Sequence, residues 1–443
     1  MDKKIGMISL GCAKNRVDTE IMLGHLQKAG YPITGEVEEA EVIIINTCGF
    51  ITAAKEESIN AILDAAKLKQ TGRCARIVVA GCLAQRYATE LLDDIPEIDG
   101  IMGTGAVPEI VSTVNKVLTG ERPVLVNKPG YIHHGQESRI LTTPRHTAYL
   151  KIAEGCENRC SYCAIPTIRG PYRSKPMEEI IEEAKELCSQ GTRELIVVAQ
   201  ETTRYGIDLY GRYKLANLLQ GLEKIENCRW IRLMYCYPTS ITGELLEVIK
   251  SSKKICRYID LPLQHINNRI LKMMNRRGSK EYIAYLINKL RRLMPGITLR
   301  TTFIVGFPGE TEAEFNELLS FIEATRFDRA GIFGYSPEEG TAAERLPDRV
   351  SEQEIAARLE AVMALQQGIS AQNNRKFVGA EKIVLAEGWD TDASLYWGRT
   401  EGDAPEIDGK VFFASEELVR AGDFVKVKIL DSTEYDLSGV RTK

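Results

Sequence analysis

The sequence lacks the features that would place it in several broad classes. No apolar run approaches the roughly 20 residues that span a bilayer, which argues against a helical membrane protein. The start, Met1-Asp2-Lys3-Lys4, runs directly into the strand-like Ile5–Leu10, leaving no room for a signal peptide, so a cytoplasmic protein is expected. There is no long-period repeat and no low-complexity stretch. Net charge is small, −4 over 443 residues, but unevenly placed. From Asn373 onward there are 10 basic and 14 acidic residues, so the whole imbalance lies in the C-terminal segment.

Cysteine, by contrast, is plentiful, at 11 residues. A disulfide framework does not suit a cytoplasmic protein, where thiols stay reduced. Cys74, Cys188, Cys228, Cys236 and Cys256 have no ligand-like spacing and read as small buried hydrophobes. The other six need another explanation.

A chain this long divides into domains. Residues 1–125 alternate short apolar runs with helical patterns, as in a parallel α/β sheet. Periodicity lapses over 126–146, which reads as a linker. Residues 147–372 hold six strand candidates, Ala148–Ala153, Leu195–Ala199, Trp230–Tyr235, Tyr258–Leu261, Ile297–Val305 and Ala330–Tyr335. Six βα units fall short of the eight that close a full barrel, so a partial (β/α) barrel is expected. Ser351-Glu352-Gln353-Glu354 is a capping box that opens a long helix to about Gln372. Residues 373–443 show strand patterns at Lys382–Glu387, Ala393–Arg399, Lys410–Phe413 and Phe424–Asp431, suiting a small five-strand all-β barrel.

Cys156, Cys160 and Cys163 lie within eight residues, on a loop just past a strand. Three such thiolates can wrap three corners of a [4Fe–4S] cube and leave one iron open. That iron could chelate the amino and carboxylate groups of S-adenosylmethionine and pass it one electron. Zinc is the alternative, but zinc sites usually pair CxxC elements to reach four ligands, and no fourth Cys or His is near.

Cys12, Cys48 and Cys82 are far apart but share a context. Each directly follows an apolar strand and precedes a turn and helix. In a parallel sheet, positions past the carboxyl ends of neighbouring strands meet in one crevice. A second cubane could sit there.

The central spacing resembles the radical S-adenosylmethionine superfamily. With Gly11-Cys12, Asn46-Thr47-Cys48 and Gly81-Cys82 ahead of it, the chain resembles the methylthiotransferase family from end to end. That resemblance implies an N-terminal cluster domain, a radical partial barrel and a terminal OB-like barrel called TRAM. It implies two [4Fe–4S] clusters on the six cysteines. Two molecules of S-adenosylmethionine would be used, one to methylate sulfur and one to generate a radical. It also implies an electron donor such as flavodoxin or ferredoxin.

The family divides between an adenosine of transfer RNA and an aspartate of small-subunit ribosomal protein twelve. Ser9-Leu10-Gly11-Cys12-Ala13-Lys14-Asn15-Arg16-Val17-Asp18, Ile165-Pro166 through Ser174, and Asp260 through His265 are similar to the ribosomal-protein branch. The acids Asp390, Asp392, Glu401, Asp403, Glu406 and Asp408 would repel a phosphate backbone and attract a basic protein. Transfer RNA is the alternative substrate. An RNA-binding protein with structural clusters is the reading from another class.

The superfamily places an aromatic like Tyr162 beside adenine. Gln200 and Glu201 end the second barrel strand, where barrel enzymes put active groups, and Glu201 would meet the S-adenosylmethionine amino group. Gly306, in a tight turn at a strand exit, would line the ribose or methionine, or serve only the turn. Arg169 and Arg173 could hold a substrate carboxylate. His265 reads as a satisfied core residue and Met273-Met274 as helix packing. Gly103-Thr104-Gly105 is too short for a phosphate loop.

Overall fold

The computed structural model describes residues 3–135 and 137–442. Runs such as Val42–Ile45 are buried at every position, because a parallel sheet is covered by helices on both faces. The first sheet contains β1 (Ile5–Ser9), β2 (Ile33–Thr34), β3 (Val42–Thr47), β4 (Arg76–Gly81), β5 (Gly100–Met102) and β6 (Val124–Leu125). Their order is β2-β1-β3-β4-β5-β6, all parallel. Alternate residues feed opposite cores: Ile43, Ile45, Ile77 and Val79 on one face, Val42, Ile44, Val78 and Ala80 on the other. Strand order reverses between β1 and β3, a topological switch point of the kind at which open α/β sheets bind ligands.

The second sheet is the expected partial barrel. Six parallel strands run in the order β14-β13-β12-β11-β10-β7. They are β7 (Thr147–Lys151), β10 (Glu194–Val198), β11 (Trp230–Leu233), β12 (Ile255–Gln264), β13 (Thr298–Val305) and β14 (Arg329–Gly334). Among the described residues no ladder joins β7 to β14, so the barrel stays open. The expected strand Ala148–Ala153 breaks in two, because β8 (Ala153–Glu154) leaves the barrel to pair with β9 (Arg173–Ser174). The long helix Glu352–Arg375 is capped by Ser351, as expected, and packs along β14.

The terminal segment closes into a barrel in the order β15-β16-β17-β19-β18. Its strands are β15 (Glu381–Asp390), β16 (Leu395–Thr400), β17 (Val411–Ala414), β18 (Phe424–Ser432) and β19 (Leu437–Thr442). Only four are legible as patterns; β19 has a single buried apolar residue, Leu437, and leaves no alternation to read.

This barrel docks on the amino-terminal end of the radical barrel through buried charge. Glu194 accepts from Arg232 at 2.8 Å and from Arg399 at 2.6 Å, with all three side chains buried. The acidic cluster is corrected in part. Asp403 accepts from Arg329 at 2.6 Å, Asp408 from Tyr258 at 2.7 Å, and Glu406 from Arg16 at 2.7 Å. Glu401 accepts from the Arg257 backbone N–H at 3.2 Å. The side chains of Asp403 and Asp408 are thereby buried and fasten the barrel in place, while Asp392, Glu401 and Glu406 stay exposed.

The stretch read as a linker is also held. Arg139 reaches Glu20 at 2.6 Å, Glu183 at 2.8 Å and the Tyr149 carbonyl at 2.7 Å. It crosses helix α1 (Ala13–Lys28) so closely that a β-carbon on Gly24 would lie 2.0 Å from the Ser138 carbonyl oxygen. No described helix is long and apolar enough to cross a membrane.

Candidate cluster-binding site

The dispersed cysteines meet because β1, β3 and β4 are neighbours and end together. A β-carbon on Gly11 would lie 2.7 Å from Cys48 Cβ and 3.1 Å from its Sγ, so the loop carrying Cys12 lies against Cys48. Gly11 has φ +84, a region that disfavours any side chain. A lattice of amides and hydroxyls fixes these strand exits. Asn15 Nδ2 donates to the Leu10 carbonyl at 2.7 Å and reaches the Asn46 and Thr47 carbonyls at 3.3 Å. Asn46 Nδ2 donates back to the Asn15 carbonyl at 2.8 Å. Thr47 Oγ1 donates to the Ala80 carbonyl at 2.6 Å, and Ser58 Oγ brackets the Cys48 backbone at 3.0 and 2.9 Å. The motif residues around these cysteines therefore act as a scaffold for them.

The second trio sits on one loop past β8. The Cys156 N–H donates to the Gly170 carbonyl at 3.2 Å, and the Cys163 N–H to the Cys160 carbonyl at 3.0 Å. Gly155 repeats the role of Gly11, with φ +81 and a hypothetical β-carbon 2.1 Å from the Pro171 carbonyl oxygen. Asn275 donates to the Arg159 carbonyl at 2.8 Å, and Arg276 reaches Cys160 Sγ at 3.9 Å while stacking 4.4 Å from the Tyr237 ring.

Burial raises thiols in both trios, Cys82 included, and Cys12 is the exception. Burial, then the charges of Cys82 and Cys12, push the Cys48 thiol up to about 12. Burial, with help from Glu201 and Cys160, pushes Cys156 up to about 11. Burial and Cys160 raise Cys163 too. Cys12 is exposed by area but ringed by enough protein to feel desolvation; Lys14 and Arg169 outweigh that and lower it. The mutual effects confirm that each trio shares one locality. Among the described residues no three Cys, His, Asp or Glu side chains could hold a metal ion as they stand. Thiolates spread about a polynuclear group are farther apart than the ligands of one ion, so this donor set suits a cubane better than mononuclear zinc.

Between the trios runs a buried ionic seam that sequence patterns did not announce. Arg169 leaves the radical barrel and donates to Cys82 Sγ at 3.3 Å, Asn15 Oδ1 at 2.9 Å and Asp18 Oδ2 at 2.5 Å. Lys151 pairs with Asp18 and, at 2.8 Å, with Glu154. Gln200 Nε2 donates to Glu154 at 2.5 Å. Arg169 is thus fully engaged and cannot also receive a substrate carboxylate. Arg173 donates to the carbonyls of Pro171, Tyr131 and Arg169. The expectation for Arg169 is corrected, since its charge is taken up by Asp18; that for Arg173 is not, because its contacts are all carbonyls and its buried Nε has no partner among the described residues.

Glu201 is buried at the β10 exit, accepting from Asn158 at 2.6 Å and Ser240 at 2.7 Å, so it is tied to the cysteine loop. Gln200 Oε1 is buried without a partner beside it. Tyr162 packs with Phe307 and Met274 next to Cys160. Gly306 has φ +74, its N–H donates to Glu310 Oε2 at 2.5 Å, and a β-carbon would lie 2.3 Å from Ile355. Packing alone accounts for that glycine. His265 is a satisfied core residue, 2.9 Å from Glu310. Met274 is fully buried, and Thr104 donates to the Ile168 carbonyl at 2.7 Å.

Residues 4–103 match an uncharacterized protein family, UPF0004, residues 150–322 the radical SAM superfamily, and residues 378–441 the TRAM domain. The chain is 57% identical over 440 residues, 99% of each chain, to the ribosomal protein uS12 methylthiotransferase RimO of Pelotomaculum thermopropionicum. It is 51% identical to the protein of that name from Desulforamulus reducens, over 98% of each chain. It is 50% identical to that of Clostridioides difficile, again over 98% of each. Among solved structures it resembles the radical S-adenosylmethionine methyltransferase TsrM from Kitasatospora setae, with TM-score 0.57, 14% identity and coverage of 76% of this chain and 77% of that one. That likeness concerns the fold.

Proposed function

The chain belongs to the ribosomal protein uS12 methylthiotransferase family, and from that premise we propose how its own residues divide the reaction. Its activity is radical methylthio transfer to ribosomal protein uS12, dependent on S-adenosylmethionine and a [4Fe–4S] cluster. The finer reading gives it two clusters, one on Cys156, Cys160 and Cys163 and the other on Cys12, Cys48 and Cys82. The target is the β-carbon of an aspartate, the reductant is a flavodoxin or ferredoxin, and the setting is the cytoplasm. When bound, the first cluster supplies the electron that cleaves S-adenosylmethionine, and the second supplies an iron on which sulfur is kept nucleophilic.

The protein's part is binding and placement. Glu201, oriented by Asn158 and Ser240, offers a fixed carboxylate to the amino group of S-adenosylmethionine. Gln200, with a free Oε1 beside it, offers a second acceptor. Tyr162 gives an apolar wall for the adenine, and the Gly306 turn lies at the next strand exit but one from the Tyr237 side of the mouth. Arg276 beside Cys160, with Lys14 and Arg169 beside the dispersed trio, places cations against anionic clusters.

The observation that carries this reading is the convergence of each cysteine trio at the carboxyl end of its own parallel sheet, with Arg169 spanning the two sheets. Anaerobic reconstitution tests it. The expected result is about eight irons per chain and methylthio-aspartate in uS12 by mass spectrometry. About four irons, or a methylthio group lost only from transfer RNA in a deletion strain, would overturn it.

A further inference from the structure

The Cys156–Cys163 loop has two sides. At one end Ala164 and Ile168 pack against Cys82, so that end faces the dispersed trio. At the other, half-buried Cys156 and Cys160 bracket the exposed side chains of Glu157 and Arg159. An electron bound for a group on this trio has its short way in from solvent there, away from the dispersed cysteines.

That side is positively charged. The turn after the helix Asn268–Met273 lies beside the loop: Asn275 Nδ2 donates to the Arg159 carbonyl at 2.8 Å and the Asn158 carbonyl at 3.3 Å, and the Ser161 N–H donates to the Met274 carbonyl at 3.0 Å. Over 156–163 and 272–281 there are five cations, Arg159, Lys272, Arg276, Arg277 and Lys280, against two carboxylates, Glu157 and Glu281, in a chain whose net charge is −4. Glu157 is taken by Arg204 at 2.7 Å, and Lys280 by Glu317 at 2.6 Å. Arg276 already serves Cys160, at 3.9 Å. Arg159, Lys272 and Arg277 are exposed and make no ion pair among the described residues. Their charge lies at the surface, where it acts on whatever approaches. The backbone beneath is held: Tyr237 Oη accepts from the Arg277 N–H at 2.8 Å, and Arg159 keeps φ +49, a left-handed conformation that an arginine rarely adopts. Strain kept in place by such bonds accompanies functional positions.

We propose that this face, centred on Arg159, Lys272 and Arg277, docks an acidic electron-carrier protein that reduces the group held by Cys156, Cys160 and Cys163. The proposal rests on the radical-cluster reading and deepens it by naming where its reductant binds. The transfer moves one electron and no atoms: the carrier is oxidised by one electron as the cluster is reduced by one. Electron-transfer encounters use small interfaces, below about 1,200 Å² in total, and charge complementarity acts chiefly by speeding association. Three unpaired cations over a half-buried cysteine loop fit that mode. Ribosomal RNA is the rival partner, because phosphates also draw Lys and Arg. The position over Cys156 and Cys160 favours the carrier.

The test compares two reductants on the reconstituted holoenzyme: an acidic flavodoxin, and photoreduced deazariboflavin, a small uncharged molecule that no surface charge steers. Flavodoxin affinity and 5′-deoxyadenosine formation are measured for the natural chain and for Lys272→Glu with Arg277→Glu. At low salt the double variant should bind flavodoxin about 10- to 100-fold more weakly and react with it correspondingly more slowly, a gap that narrows as salt rises. Its rate with deazariboflavin should be unchanged. An unchanged response to flavodoxin, or equal slowing with both reductants, overturns the proposal. Hydrogen exchange on the natural holoenzyme decides without any variant: flavodoxin should protect amides over 157–161 and 272–278. Protection elsewhere, or protection of this face by ribosomal RNA and not by flavodoxin, overturns it. Activity with deazariboflavin but none with flavodoxin overturns the docking proposal alone. If the natural holoenzyme forms no 5′-deoxyadenosine with either reductant, the radical reading itself fails.

Discussion

The two cysteine trios reach similar arrangements by opposite routes. One is a local object: Cys156, Cys160 and Cys163 are neighbours in the chain, and a single loop braced by Gly170 and Asn275 holds them. The other is a product of topology. Cys12, Cys48 and Cys82 come together only because three strands are adjacent in a parallel sheet, and Asn15, Asn46 and Thr47 stitch their ends. Their surroundings differ at one thiol. Burial pushes Cys156 and Cys163 up in the first and Cys48 and Cys82 up in the second, whereas Cys12 is lowered, because Lys14 and Arg169 outweigh its desolvation. A local motif tolerates disturbance of the rest of the fold; a topological one depends on the sheet, the seam and the domain contact remaining intact.

The largest expected effect separates the trios outright. Cys156→Ala should abolish reductive cleavage of S-adenosylmethionine to 5′-deoxyadenosine. Cys48→Ala should keep that cleavage but yield no methylthiolated uS12. Each should lower iron from about eight to about four per chain. Equal loss of cleavage in both variants would break the comparison.

Next comes the seam. Arg169→Met leaves Asp18 and Glu154 partly unpaired in a buried site and should destabilise the fold by about 3–5 kcal/mol in denaturant unfolding. Arg276→Met, beside the loop trio, removes contacts to Cys160 and one carbonyl and should cost about 1–3 kcal/mol.

A pH titration sharpens the same contrast. Burial opposes the charge on Glu154, but Lys151 and Arg169 hold its carboxyl down to about 2, against an ordinary 4.5. The folded value is depressed, so this stabilisation is present above the ordinary range and is lost as pH falls toward 2. The thermal midpoint should therefore be flat at neutral pH and fall progressively below about pH 5, with a shallower fall in Glu154→Gln.

The smallest effect falls on the scaffold of the dispersed trio. Ser58→Ala removes the hydroxyl that brackets the Cys48 backbone and should cost about 1 kcal/mol, with iron retained.

The loop trio was legible in the sequence because spacing alone encodes it. The dispersed trio was legible because each cysteine follows an apolar strand, and strand exits in parallel sheets share a crevice. The partial barrel followed from counting six strands. What escaped was chemistry that depends on long-range partners. Arg169 reads as a candidate substrate arginine until its contacts with Asp18 and Cys82, 151 and 87 residues away in sequence, are seen. The terminal acids look like an interaction face, yet Asp403 and Asp408 are engaged by Arg329 and Tyr258 of another domain. β19 went unmarked because one buried leucine gives no period.

The Asp18–Lys151–Glu154–Arg169 seam also constrains how the machine is loaded. Parting such desolvated charges costs about 3–5 kcal/mol, so a gaping conformer would be visited only about once in every 10² to 10⁴ molecules. Loading the site by parting that seam would therefore run through a sparsely populated open state, and the seam's strength sets how often that state forms.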